Sequence, residues 1–110
     1  MNHNIENILN IVQNNFNLKA EIAKSYDNSD CVLIRRGKLE ATLSYGKSIN
    51  FATEEYEDDI KISWNDKADW SGGCYGTHLS KDSEENIVKE MVTRIFKVDA
   101  SPQSIQLSFF

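Results

Sequence analysis

Leu39-Glu40-Ala41-Thr42-Leu43-Ser44-Tyr45 alternates apolar and polar side chains without a break. Successive side chains of a strand point to opposite faces, so this spacing predicts a strand with one face on a core and the other toward water. Toward the N terminus, Gly37 in Arg35-Arg36-Gly37-Lys38 can supply the positive φ of a hairpin turn. Cys31-Val32-Leu33-Ile34 is apolar on both faces, as a central strand requires. Residues 26–30 are a turn cluster. Before them Phe16, Leu18, Ala20 and Ile22 alternate with Asn17, Lys19, Glu21 and Ala23, a further strand whose competitor is a continued helix. Residues 4–14 read as a helix, with Ile5, Ile8, Leu9, Val12 and Phe16 at helical spacing and Asn2 or Asn4 as the cap.

Toward the C terminus, Gly46-Lys47 predicts a turn, Ile49 and Phe51 a short strand, and residues 54–59 an acidic turn. Ile60, Ile62 and Trp64 alternate with Lys61 and Ser63, another strand. Residues 65–80 show neither period and read as a long irregular loop. A second helix starts at Ser80 or Asp82, where Asp82 and Glu85 have capping-box spacing. Its apolar face is Ile87, Val88, Met91, Val92 and Ile95, with Arg94 and Lys97 in the last turn. Pro102 separates it from a last strand over residues 104–110. The order α-β-β-β-β-β-α-β with short turns predicts a single α+β domain over residues 1–110. It should have two layers: a mostly antiparallel sheet of five to six strands, and two helices packed on one face.

Charge bounds the function. The net charge is −5 and the sequence pI is near 4.9, against the surplus of Lys and Arg that general nucleic-acid binding needs. The same electrostatics with signs reversed favour a basic protein partner. The first sixteen residues have no basic start and no unbroken apolar run, so neither a signal peptide nor a membrane span is expected. Two cysteines without a secretory signal fit reduced thiols, and the expected location is the cytoplasm.

The acidity is concentrated in residues 53–85, where ten carboxylates face three lysines. Two surfaces stand out within it. The first is Glu54, Glu55, Tyr56, Glu57, Asp58 and Asp59, whose crowded carboxylates suit a cationic partner with Tyr56 as an aromatic anchor. The bland alternative is a solvated hairpin tip. The second is the predicted loop carrying Asp66, Asp69, Trp70, Tyr75 and His78, with Gly72, Gly73 and Gly76 permitting tight turns. The bland alternative there is Trp70 folding back over the sheet end.

Cys74 and His78 stand four apart before the second helix, and a thiol nucleophile with a histidine base is chemically conceivable. No third orienting group is specified, and no paired-cysteine spacing suggests a metal. The glycines match neither a P-loop nor a dinucleotide fingerprint. Arg35, Arg36 and Lys38, the only basic cluster, read as a solvent-facing hairpin tip. No metal or cofactor is expected. The two surfaces should lie at opposite ends of one strand, too far apart for a single small-molecule site.

The reading is a non-enzymatic binding or inhibitor protein covering a basic partner through Glu54, Glu55, Tyr56, Glu57, Asp58, Asp59, Asp66, Asp69, Trp70, Tyr75 and His78. In type it is similar to bacterial immunity proteins that neutralise nuclease toxins, although no motif carries that likeness. A phage inhibitor imitating nucleic-acid charge and a small Cys/His thiol enzyme are the alternatives.

Overall fold

Asn4 has extended backbone and its side-chain oxygen accepts the Glu6 N–H, which opens helix α1, Ile5–Asn15. A computed structural model describes residues 3–100; Asn2, Pro102 and the strand expected over residues 104–110 lie outside the described residues. After α1 the chain forms β1 (Lys19–Lys24), β2 (Asp30–Arg36), β3 (Leu39–Asn50), β4 (Glu55–Asp66) and β5 (Ser71–His78). Helix α2, Glu84–Phe96, follows. The strands pair in sequence order, β1-β2-β3-β4-β5, every pair antiparallel.

The core forms on one face. Val32, Ile34, Ala41, Leu43, Ile60 and Ile62 are buried beneath both helices. Ile8 and Val12 of α1 cover them, with Ile87, Val88, Met91, Val92 and Phe96 of α2. The α+β class and the two helices on one face are as the sequence predicts. Gly37 takes φ 63° in the β2–β3 turn, as its position suggests.

Five local readings are corrected. Gly46-Lys47 is no turn: β3 runs straight through it, with Gly46 opposite Asp59. A Cβ at Gly46 would lie 3.0 Å from Asp59 Oδ1, so this glycine makes room for a carboxylate. Glu55, Tyr56, Glu57, Asp58 and Asp59 are not a turn either; they begin β4, and the reversal is residues 51–54, with Glu54 at φ 59°. The expected loop over residues 65–80 is mostly β5. Its reversal is residues 67–70, where Asp66 accepts the Ala68 N–H and Asp69 accepts the Ser71 N–H. The glycines of β5 hid the strand because they serve close packing. A Cβ at Gly73 would sit 2.8 Å from the Trp64 ring, and one at Gly76 would sit 3.0 Å from Asp59 Oδ2.

The fourth correction is the α2 cap. Ser83, not Asp82, is the N-cap and accepts the Asn86 N–H; Asp82 instead accepts the Ser83 N–H. Arg36, read as a solvent-facing tip residue, reaches α2. It donates to the Phe96 carbonyl and lies 5.7 Å above the centre of the Phe96 ring.

Candidate functional site: an acidic two-stranded arm

β3 and β4 are each 12 residues long, and they outrun their neighbours. β2 pairs with β3 only from Leu39 to Leu43, and β5 pairs with β4 only from Asp59 to Asp66. The β3–β4 ladder continues to Asn50 opposite Glu55. Lys47, Ser48, Ile49 and Asn50 with Glu55, Tyr56, Glu57 and Asp58 therefore form a two-stranded arm. At about 3.3 Å per residue it extends roughly 13 Å past the sheet. Two large apolar side chains stand out from it, Phe51 at 84% and Tyr56 at 74% exposure.

The acidic run divides by depth along this arm. Glu54 and Glu55 are exposed and have no ion pair or side-chain hydrogen bond among the described residues. Glu57 accepts from Asn50 Nδ2 at 3.0 Å and Ser80 Oγ at 2.8 Å. These donors hold its carboxyl below the usual glutamate range. Asp58 lies 2.8 Å from His3 Nε2 and 4.0 Å from Lys47 Nζ. The His3 hydrogen bond is the main reason its carboxyl is held below the aspartate value of 3.8. Asp59 is buried, at 1% exposure, and has no surface to offer a partner.

Replacing His3 by alanine should return the Asp58 pKa toward 3.8, as read by carboxyl NMR titration. Because the folded value is depressed, the stability Asp58 contributes is present above its unfolded pKa and is lost as pH falls through the folded value. The alanine variant should therefore show a shallower loss of stability below pH 3.8. An Asp58 titration unmoved by the substitution would refute the His3 assignment.

At the base of the arm, three side chains from three strands meet on the face away from the helices. Ser48 Oγ donates to Asp59 Oδ2 at 2.8 Å. With the hydroxyl proton committed there, His78 Nε2–H is the donor to Ser48 Oγ at 2.9 Å. Lys61 Nζ stands 3.6 Å from Asp59 Oδ2. The residue types are those of a hydrolytic triad, but the order is not. The serine sits in the middle and its proton faces the carboxylate, so the histidine is not placed to take it. Sequence reasoning missed Ser48 in this group. The signal was the shared face of Asp59 and Lys61, usable only once the pairing register was known.

The structure separates Cys74 from His78. Four residues along a strand is about 13 Å, beyond any proton transfer between them. Cys74 also lies in mid-strand rather than at a helix start, and both cysteines are free thiols. Strand β5 carries the chain back, so His78 is opposite Asp59 while Ser71 is opposite Asp66. His78 thus joins the acidic arm. Asp66, Asp69 and the 88% exposed Trp70 remain at the far end, which corrects the expectation that the whole segment lies away from the arm. Tyr75 is half-buried there, edge-on to Trp64 and 5.1 Å below the Arg94 guanidinium. A cleft of about 600 Å³ opens between these groups, Asp66, Asp69 and Lys97.

The chain matches no protein-family model, no curated protein and no solved structure. Function therefore has to be argued from geometry and charge alone. Among the described residues, no group of three or more His, Cys, Asp or Glu side chains is arranged to hold a metal ion. No helix among them is long and apolar enough to cross a membrane.

Proposed function

We propose that this protein is a non-enzymatic binding domain that covers a basic protein partner with its acidic arm, in the manner of an immunity protein against a bacterial nuclease toxin. One observation carries the reading. The β3–β4 ribbon projects past the sheet with Phe51 and Tyr56 exposed beside the unpaired carboxylates of Glu54 and Glu55. Aromatic anchors ringed by charge are the composition of interface hot spots, and an acidic projection complements the cationic cleft that a nuclease presents to its substrate. Glu57 and Asp58 support the reading differently. Ser80 and His3 tie the ribbon to the rest of the chain, while Asn50 and Lys47 link its two strands to each other, and together these contacts pre-organise it. The setting proposed is cytoplasmic.

The test is binding to a partner captured from the source organism, using the intact chain and variants. Glu54→Lys with Glu55→Lys should slow association about tenfold at low salt, an effect that fades as ionic strength rises. Tyr56→Ala should instead speed dissociation, weakening binding by roughly thirtyfold. Neither change should move the unfolding midpoint appreciably, because these side chains are exposed and make no hydrogen bond or ion pair among the described residues. Binding indifferent to all three substitutions and to salt would sink the proposal.

A further inference from the structure

β5 is an edge strand, and among the described residues its outer side is uncovered. The hydrogen-bond phase of that side can be read directly. Leu79 N–H donates to the Asp58 carbonyl at 3.0 Å, extending the Asp59–His78 register by one residue. Antiparallel ladders alternate hydrogen-bonded and non-bonded pairs. Thr77, Tyr75, Gly73 and Ser71 therefore turn their backbone groups toward β4. Gly72, Cys74 and Gly76 turn theirs away, three N–H and three C=O groups in a row.

Natural edge strands are guarded by charge, proline or a bulge. The other edge, β1, carries Lys19, Glu21 and Lys24. β5 has none of these guards. It has no charged side chain from Ser71 to Thr77, no proline, and an unbroken register with β4.

The sequence of β5 also has a partial two-fold pattern. About Cys74, Gly72 matches Gly76 and Ser71 matches the similar Thr77, while Gly73 stands against Tyr75, a small residue against a large one. We infer that β5 is a homodimer edge, pairing antiparallel with β5 of a second copy about a two-fold axis at Cys74. In that register Ser71 faces Thr77 of the second copy, Gly72 faces its Gly76, and Gly73 faces its Tyr75. The outward groups of Gly72, Cys74 and Gly76 fall into hydrogen-bonded pairs with no change of phase. The one bulky side chain between Ser71 and Thr77, Tyr75, meets a glycine. That glycine is the one whose missing Cβ already admits the Trp64 ring at 2.8 Å, so each Tyr75 is brought to the other copy's Trp64. No like charges oppose each other along the paired segment. An isologous contact of this kind closes on itself as a dimer and continues the five strands into ten. It leaves the acidic arms free, and it does not depend on what they bind.

Sedimentation of the full chain from micromolar to millimolar concentration tests the inference. The wild-type chain should sediment as a dimer. Cys74→Ala keeps the outward N–H and should stay dimeric. Cys74→Pro removes that N–H from both copies without costing β5 any bond to β4, and should weaken dimerisation by roughly thirtyfold or more. A short bismaleimide should link the two Cys74 thiols in dilute wild-type protein, a readout that holds whether or not the proline variant folds. Cys31 is buried and will not compete. A wild-type chain that stays monomeric, a folded proline variant that dimerises unimpaired, or a dimer that gives no Cys74 cross-link would each overturn it.

Discussion

A Phe96→Ala protein should lose about 4 kcal/mol of stability, the largest effect expected from any single truncation among the described residues. Phe96 is completely buried and is the bulkiest side chain to be so among the described residues. It sits in the last turn of α2, where the helix would otherwise fray. Its ring fills the space above the sheet, and its carbonyl and ring both engage Arg36 at the end of β2. Removing the ring leaves a cavity at the joint between layers and strips Arg36 of its stacking surface. Against a total of about 5–15 kcal/mol for a domain of this kind, such a loss is severe. In urea the midpoint should fall with little change in slope, and the thermal midpoint should drop by roughly 15–30 °C. Phe96→Leu should cost far less. A loss below about 1 kcal/mol for the alanine variant would place the ring outside the core.

How far the fold was legible depended on whether each strand advertised a period. β3 and the middle of β4 alternate apolar and polar residues because one face packs on the helices, and both were readable as strands. β2 was readable because Cys31 and Val32 are both buried. β5 was not, because Gly73 and Gly76, on opposite faces, are fixed by the Trp64 ring and the Asp59 carboxylate on neighbouring β4. Those contacts are long-range and leave no local signature. The same holds at Gly46, where a glycine inside a strand imitates a turn. The predicted strand count nonetheless falls close to the observed one because two errors offset. One strand was split at Gly46, and one was missed at residues 71–78.

The candidate site was legible in composition and not in depth. Glu54, Glu55, Tyr56, Glu57, Asp58 and Asp59 read as six equivalent members of one acidic patch. Strand alternation sends them to different faces, and the end of β5 at His78 decides which stay exposed. Charge reversal spread over Glu55, Glu57 and Asp58 would therefore confuse binding with folding, since Glu57 and Asp58 have internal partners. Reversal at Glu54 and Glu55 alone separates the two. Phe51, read as the end of a short strand, belongs at the exposed reversal and adds a second aromatic beside Tyr56.

Asp59 carries the second large prediction. A carboxylate at 1% exposure is costly to bury, and among the described residues this one meets one hydrogen-bond donor, Ser48 Oγ, and one lysine, Lys61 Nζ at 3.6 Å, both on Oδ2. Its Oδ1 has no hydrogen-bond partner among the described residues. Lys61→Met keeps the apolar stem that lies across Gly46 and Gly76 but removes the ammonium 3.6 Å from the carboxylate. At neutral pH this should cost about 2 kcal/mol; the Lys61 side chain is 48% exposed, so solvent screening keeps the loss below that of a fully buried pair. Adding Asp59→Asn removes the stranded charge while keeping an oxygen for Ser48. The double variant should then be more stable than Lys61→Met alone, with a coupling of about 1 kcal/mol or more in the double-mutant cycle. Strict additivity would mean that Lys61 acts only by packing and that the carboxylate is held by Ser48. With coupling, the two glycines take on a definite role. They bring three strands close enough to shield a charge on the open face, and that shielded charge, through Ser48 and His78, fixes where the sheet ends and the arm begins.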